Sequence, residues 1–220
     1  MSQTYGPLEL QRDCTLSDDD LERFQTYAGL LRKWQSKLNL VGDSTLADLW
    51  RRHFLDSLQL AAYAPDGPKC WVDLGSGAGF PGLALAIAFR PQSSWRPGFK
   101  MVLIESNLRK SVFLQEVIRA TGARAEVIAR RVEQVSQTDL GGPASVITAR
   151  GFAPLARLLD ISAHLCGPQT RFLLLKGQNI DIELTAATKC WRIAATRHPS
   201  LADPAGWVLE ITEAARAASI

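Results

Sequence analysis

The tightest constraint on the fold is Cys-Trp-Val-Asp-Leu-Gly-Ser-Gly-Ala-Gly-Phe-Pro-Gly, residues 70–82. An apolar run, Trp71 to Leu74, stops at three glycines spaced by single residues, Gly75, Gly77 and Gly79. An apolar helical pattern starts near Phe80 and runs to about Ala88. Strand, glycine turn and helix in that order open a nucleotide-type α/β site, because glycine lets the backbone approach a ligand more closely than any Cβ allows. Asp73 falls just ahead of the turn, near the carboxyl end of the strand, where open α/β sheets bind ligands. The next strand, Met101 to Ile104, closes on Glu105, placed to accept hydrogen bonds from a ribose diol.

Two cofactor chemistries could use this arrangement. Gly77-x-Gly79-x-x-Gly82 satisfies the dinucleotide fingerprint, and Glu105 follows at roughly the expected distance of about twenty residues. Asp73 discriminates between them. A pyrophosphate is repelled by a carboxylate at the turn, whereas S-adenosylmethionine brings an ammonium and a sulfonium and no phosphate. Acid, glycine turn and second acid suit the methyl donor. A tight turn that only packs a helix on a sheet leaves both acids unexplained.

The 220 residues suffice for one α/β domain with a small addition. Apolar residues at 46% and charged residues at 21% give a soluble composition. No apolar run approaches the roughly twenty residues of a membrane span. The start, Met1-Ser-Gln-Thr-Tyr-Gly-Pro, lacks a basic region followed by an apolar core, so a cytoplasmic protein without a secretory signal is expected. Cys14, Cys70, Cys166 and Cys190 are scattered without C-x-x-C spacing and read as thiols of a reducing compartment, with no metal site. A net charge of +3 permits a nucleic-acid partner without demanding one.

Two regions are expected: a helical cap over 1–66 and a cofactor-binding core over 67–220. After a polar lead-in, Ser17 with Asp18, Asp19 and Asp20 predicts a helix N-terminus, and apolar spacing carries that helix to about Lys37. Residues 39–44 break it, a second helix is expected over about 45–63, and Pro65-Asp66-Gly67-Pro68 is the joint. In the core, strands are expected at 70–74, 100–104, 125–128, 144–148 and 170–175, with helices at 80–89, 107–121 and 153–165. Residues 90–99 form a long connection. Alternation of this kind predicts a parallel sheet with helices on both faces. Cys190–Thr196 and Trp207–Ile211 read as two closing strands without a crossover helix between them. The fold class is therefore α/β, a class I S-adenosylmethionine-dependent methyltransferase: a Rossmann-like, mostly parallel sheet ending in an antiparallel hairpin, plus the N-terminal cap.

Several polar residues have competing readings. Arg32, Lys33, Lys37, Arg51, Arg52 and His53 on the cap form either a solvated helix surface, which spacing alone favours, or a phosphate-contacting patch. His53 and Asp56 sit three apart and could pair. After the fourth strand stands Thr148-Ala149-Arg150-Gly151-Phe152, not the Asn/Asp-Pro-Pro-aromatic signature of exocyclic amine methylation. No cysteine follows a proline, as C5 methylation of pyrimidines typically requires. Arg150 is either an ion-pair partner for Glu133 or Asp73, or it orients cofactor or substrate. In Lys176-Gly177-Gln178-Asn179, Lys176 could meet a phosphate and Gln178 a base edge; a plain strand-ending turn is the alternative.

Taken together, Arg-His-Phe-Leu-Asp-Ser (52–57), Val-Asp-Leu-Gly-Ser-Gly-Ala-Gly-Phe-Pro-Gly (72–82), Arg-Lys-Ser-Val-Phe-Leu (109–114), Arg-Val-Glu (131–133), Thr-Ala-Arg-Gly-Phe-Ala (148–153) and Leu-Lys-Gly-Gln (175–178) resemble the bacterial RsmG/GidB family. Its members are S-adenosylmethionine-dependent methyltransferases of small-subunit (16S) ribosomal RNA that modify guanine N7. The resemblance runs from the helix at 21 to the strand near 211. It implies that Gly75 and Phe80 line the cofactor site, that Val132 and Glu133 border the adenine, that Glu105 holds the ribose and that Arg150 completes the pocket. It places Arg109 and Lys110 near the RNA-facing mouth, and makes the basic cap residues, Arg51 and Arg52 among them, phosphate contacts. Guanine N7 carries a free lone pair, so no catalytic acid or base is expected. The implied partner is ribosomal RNA, structured or in a ribosomal particle, approached by a monomer.

Overall fold

The computed structural model describes residues 5–67, 70–89 and 99–217. Its centre is a seven-stranded sheet built from β1 (Cys70–Leu74), β2 (Lys100–Ile104), β3 (Ala125–Ile128), β4 (Ala144–Arg150), β5 (Cys166–Lys176), β6 (Trp191–Pro199) and β7 (Trp207–Arg216), in the order β3-β2-β1-β4-β5-β7-β6. Strands β1 to β5 run parallel, β7 is antiparallel to β5, and β6 to β7. The expected closing hairpin is present. The strand order reverses direction between β1 and β4, which is where open α/β sheets leave a ligand crevice at their carboxyl ends.

Strand periodicity sorts the apolar residues onto two faces. Trp71, Met101, Leu103, Val146, Leu173 and Val208 join one buried cluster; Val72, Leu74, Val102, Ile104, Ile147, Leu174 and Leu209 join the other. The first cluster also takes in α5 (Gly82–Ala88), α6 (Leu108–Thr121) and the whole N-terminal region. The second takes in α8 (Leu155–Ser162), with contributions from α7 (Gln137–Leu140) and α9 (Ile180–Ala187). Helix α9 was not expected from the sequence. Five of its eight residues are apolar, but only Ile180 and Ala187 are buried, and Ile182 points to solvent.

The N-terminal region contains α1 (Pro7–Asp13), α2 (Asp18–Gln35), α3 (Asp43–Leu46) and α4 (Asp56–Leu58). Ser17 caps α2 as expected, accepting from the Asp20 amide while Asp20 answers through the Ser17 amide. The polar lead-in is partly helical: α1 buries Leu10 completely. The single helix expected over 45–63 is instead broken. A wide π-helical turn, Trp50–Leu55, precedes α4, and a tight 3₁₀ turn, Gln59–Tyr63, follows it. The π turn delivers Phe54 and Leu55 to the core while His53 and Asp56 face the sheet's ligand edge, and such turns recur at functional sites.

Aromatic packing fixes the cap on the core. The Tyr27 ring stacks on Phe80 at 5.3 Å, and Phe54 meets Phe80 edge-on at 5.6 Å. The Tyr27 hydroxyl donates to the Ala78 carbonyl, inside the glycine turn itself. The 90–99 connection lies, up to residue 98, outside the described residues.

Candidate active site

Each glycine of the turn solves a different steric problem. Gly82 lies so close to β1 that an added Cβ would run into Asp73 and Leu103, so it permits α5 to pack on the strand. Gly79, with φ +93°, faces the Tyr27 hydroxyl and Leu83, and Gly75, with φ +63°, is covered by the Phe152 ring. Gly77 is different. At φ +56° an added Cβ would meet nothing closer than the Gly75 carbonyl at 3.6 Å, so its Cα borders open space. That leaves a backbone cradle which a side chain would fill.

Glu105 braces this cradle from β2. Its Oε2 accepts from the Gly77 amide at 2.8 Å and its Oε1 from the Asn107 amide at 2.7 Å, while Asn107 caps α6 through the Arg109 and Lys110 amides. Each carboxylate oxygen retains a lone pair, as a ribose diol needs.

A groove of about 160 Å³ opens beside the turn, lined by Gly75, Ile104, Ser106, Val132, Glu133 and Phe152, with Arg130, Arg131 and Arg157 at its margin. Arg130 is engaged by Asp139 at 2.6 Å. On the other side of the same loop lies a cavity of about 370 Å³ lined by Arg52, His53, Asp56, Arg150, Gly151, Asp203 and Trp207, among others. Consecutive residues therefore separate the two spaces: Arg150 and Gly151 line the cavity, Phe152 and Ala153 the groove.

Arg150 ties this partition to the cap. Its Nη1 donates to the Arg52 carbonyl at 3.1 Å and lies 3.5 Å from Asp56 Oδ2; its Nη2 lies 2.7 Å from His53 Nδ1. The guanidinium also sits 4.9 Å from the Phe80 ring centre, a cation–π contact. The ion-pair partner is thus Asp56, not Glu133 or Asp73. Nor do His53 and Asp56 pair with each other; both face Arg150. Burial, then the Arg150 and Arg52 charges, push the His53 pKa down to about 3, so its ring is neutral. With Nδ1 accepting from Arg150, the proton lies on Nε2, which donates to Thr45 Oγ1 at 2.9 Å.

Asp73 is not placed to meet an ammonium directly. It is fully buried beneath the turn, on the face of β1 that carries α5, and neither space opens onto it. Oδ1 accepts from Thr148 Oγ1 at 2.9 Å and Oδ2 has no partner. Burial raises its pKa to about 6, against the opposing pull of Ser76, Thr148, the Gly82 amide and Arg150.

The predicted RNA contacts are divided. Lys176 is withdrawn from solvent, its side chain 9% exposed, because Nζ donates to Glu183 Oε2 at 2.7 Å and the Ala153 carbonyl at 3.1 Å. The acid comes from α9, a helix not expected from the residue pattern. Arg51 lies away from the cavity, 5.1 Å over the Tyr5 ring. Arg52 does reach the cavity, where it pairs with Asp203 at 2.7 Å. Arg109 is exposed but donates to the Lys37 carbonyl at 3.0 Å, linking α6 to the cap; Lys110 and Gln178 extend from the same sheet edge, Gln178 exposed. Arg32 and Lys33 are exposed on α2, and Lys37 is exposed just past its end.

Sequence reading missed the loop 200–206 as part of the site. Ser200 Oγ donates to Asp56 Oδ1 at 3.1 Å, the Leu201 amide donates to Gln59 Oε1 at 2.9 Å, and Asp203 holds Arg52. These contacts close the cavity against the cap. No local motif announces them, since the partners are more than 140 residues apart. Among the described residues no group of three or more His, Cys, Asp or Glu side chains could hold a metal, and no helix is long and apolar enough to cross a membrane.

A sheet ordered 3-2-1-4-5-7-6, a bare glycine cradle at its switch point and a carboxylate closing β2 define a class I S-adenosylmethionine-dependent methyltransferase. Solved structures share the fold: a SAM-dependent methyltransferase from Aquifex aeolicus (TM-score 0.57, 12% identity, covering 81% of this chain and 98% of that one) and an O-methyltransferase from Bacillus cereus in complex with SAH (TM-score 0.55, 14% identity, 90% and 92%). The chain belongs to the GidB family, rRNA small subunit methyltransferase G, whose model matches residues 20–203. Proteins named ribosomal RNA small subunit methyltransferase G are 48% identical over 196 residues in Parvibaculum lavamentivorans (89% of this chain, 84% of that one) and 47% over 211 in Paramagnetospirillum magneticum (96% and 97%).

Proposed function

We propose that this chain methylates N7 of a single guanine in small-subunit (16S) ribosomal RNA, acting in the cytoplasm as a monomer on structured RNA or a ribosomal particle. The observation that carries the reading is the pair of spaces divided by residues 150–153, one beside the glycine cradle and one beneath the cap. S-adenosylmethionine, when bound, supplies a methyl group on a sulfonium, activated for in-line displacement. Glu105 would hold the ribose, Val132 and Glu133 the adenine, and Gly75, Gly77, Gly79 and Phe80 the turn-facing part, with Asp73 as a buried charge behind it.

The cavity residues are suited to a reaction that needs no proton removed. His53 is the obvious base beside the cavity, yet its Nδ1 lone pair is taken by Arg150 and its Nε2 proton by Thr45. Guanine N7 attacks through its own lone pair, so orientation supplies the catalysis. No residue is assigned as a catalytic acid or base. Arg52, Arg109, Lys110 and the α2 cations would meet RNA phosphates, adding affinity that falls with salt.

The test is transfer of tritium from labelled S-adenosylmethionine to ribosomal RNA from cells lacking the gene, followed by N7-specific strand cleavage. One labelled, cleavable guanine in the small-subunit RNA is expected. Label that resists cleavage, or label on other molecules only, overturns the reading.

A further inference from the structure

We propose that Asp56 reads the Watson–Crick edge of the target guanine inside the 370 Å³ cavity, its Oδ2 accepting from the N2 amine and N1–H. This rests on the reading of the chain as a guanine-N7 methyltransferase.

Hydrogen-bonding capacity singles out Asp56 within the cavity. A base that reacts at N7 must leave N7 bare, so recognition has to come from its other edges and its faces. The edge farthest from N7 carries the N2 amine and N1–H, both donors, and calls for an acceptor. The cavity's other polar side chains are already committed. Arg150 donates to Arg52, His53 and Asp56; Thr45 Oγ1 donates to the Gly42 carbonyl and accepts from His53; Lys176 turns to Glu183. Asp203 receives Arg52 at 2.7 Å and the Ala205 amide at 3.1 Å.

Asp56 is unevenly used. Oδ1 accepts from Gln59 Nε2 at 2.8 Å and Ser200 Oγ at 3.1 Å, whereas Oδ2 meets only Arg150 Nη1, at 3.5 Å, the outer limit of a hydrogen bond. One oxygen anchors the side chain to the cap and to loop 200–206, and the other keeps room for two donors. The neighbouring Arg150 charge favours the ionised form, while burial opposes it and raises the pKa. Trp207 adds an aromatic wall on which a base can stack. Adenine would present its N1 lone pair to the same carboxylate and be repelled, so the device selects guanine over adenine.

The experiment is a cycle between protein and substrate. Small-subunit particles are reconstituted with guanosine or inosine at the methylated position, inosine lacking only the N2 amine, and both are offered to wild type and Asp56→Asn. Wild type is expected to methylate the inosine particle about tenfold less efficiently, the cost of one hydrogen bond to a charged group. Asp56→Asn is expected to be slow on both and indifferent to the amine. Equal inosine penalties in the two enzymes, or no penalty in wild type, overturn the assignment. Where Asp56→Asn fails to bind S-adenosylmethionine, Asp56→Glu takes its place in the cycle, and a wild-type enzyme without an inosine penalty overturns the assignment by itself. A wild-type enzyme inactive on the guanosine particle would instead overturn the proposed function itself.

Discussion

Glu105→Gln is the substitution whose consequences the structure defines most closely. The carboxylate accepts from two backbone amides at once, Gly77 at 2.8 Å and Asn107 at 2.7 Å, and the residue is only 7% exposed. Glutamine keeps the volume but offers one acceptor oxygen and one amide nitrogen. Whichever amide the oxygen serves, the other faces a donor. Leaving a buried donor unpaired costs about 1–3 kcal/mol. At about 2 kcal/mol this lowers the melting temperature by about 4–8 °C in a chain of this size. The loss falls on Gly77, the glycine that borders open space, or on Asn107 at the start of α6, and in either case on the carboxylate proposed to hold the ribose. Affinity for S-adenosylmethionine should therefore drop by at least about tenfold. Calorimetric titration with S-adenosylmethionine and a thermal melt measure the two effects together. A variant that melts lower yet binds S-adenosylmethionine as wild type would refute the link between brace and cradle.

Two further substitutions separate structure from RNA contact and test the buried charges. Lys176→Gln should cost about 2 kcal/mol by taking the charged partner from Glu183, which then keeps only the Leu155 amide, measured by urea unfolding, while the dependence of RNA binding on salt stays unchanged; a slope smaller by about one counterion would restore Lys176 as a phosphate contact. His53 has its folded pKa lowered from 6.5 to about 3, so below pH 6.5 the unfolded chain takes a proton that the folded one refuses. Its contribution to stability is complete above that pH and shrinks by about 1.4 kcal/mol per unit as pH falls. Asp73, raised from 3.8 to about 6, acts in the opposite sense: its contribution is complete below pH 3.8 and is lost as pH rises through 6. Between roughly pH 4 and 6 the two slopes offset each other. Urea melts across that window should show His53→Gln gaining stability relative to wild type on acidification, and parallel profiles would contradict the buried neutral ring.

Much of the core was legible because its signals are local. Val72 and Leu74 alternate with Trp71, the glycines follow at once, and Glu105 closes the next strand, so strand bounds and switch-point residues could be read from neighbours in sequence. The cap was harder. A helical apolar pattern over 45–63 cannot reveal that a π turn interrupts it, since Leu49, Phe54 and Leu58 point inward in either case. Helix α9 escaped notice for another reason, since Ile180, Ile182 and Leu184 alternate with acids at strand-like spacing, and with it went the partner of Lys176. The charge logic for Asp73 expected a carboxylate facing the ligand, but Gly82 brings α5 so close that the carboxylate is sealed under the turn. Arg150 was recognisable as a fixed cation at the carboxyl edge of the sheet, but its partners His53 and Asp56 lie nearly a hundred residues away, where only the tertiary fold joins them.

A crystal structure with S-adenosylhomocysteine shows whether residues 150–153 divide cofactor from base. The adenine should lie beside Val132 and Glu133, with the ribose on Glu105 and the cavity beneath the cap left free for the base. An adenosine seated in that cavity, among Arg52, Asp56 and Trp207, would contradict the account.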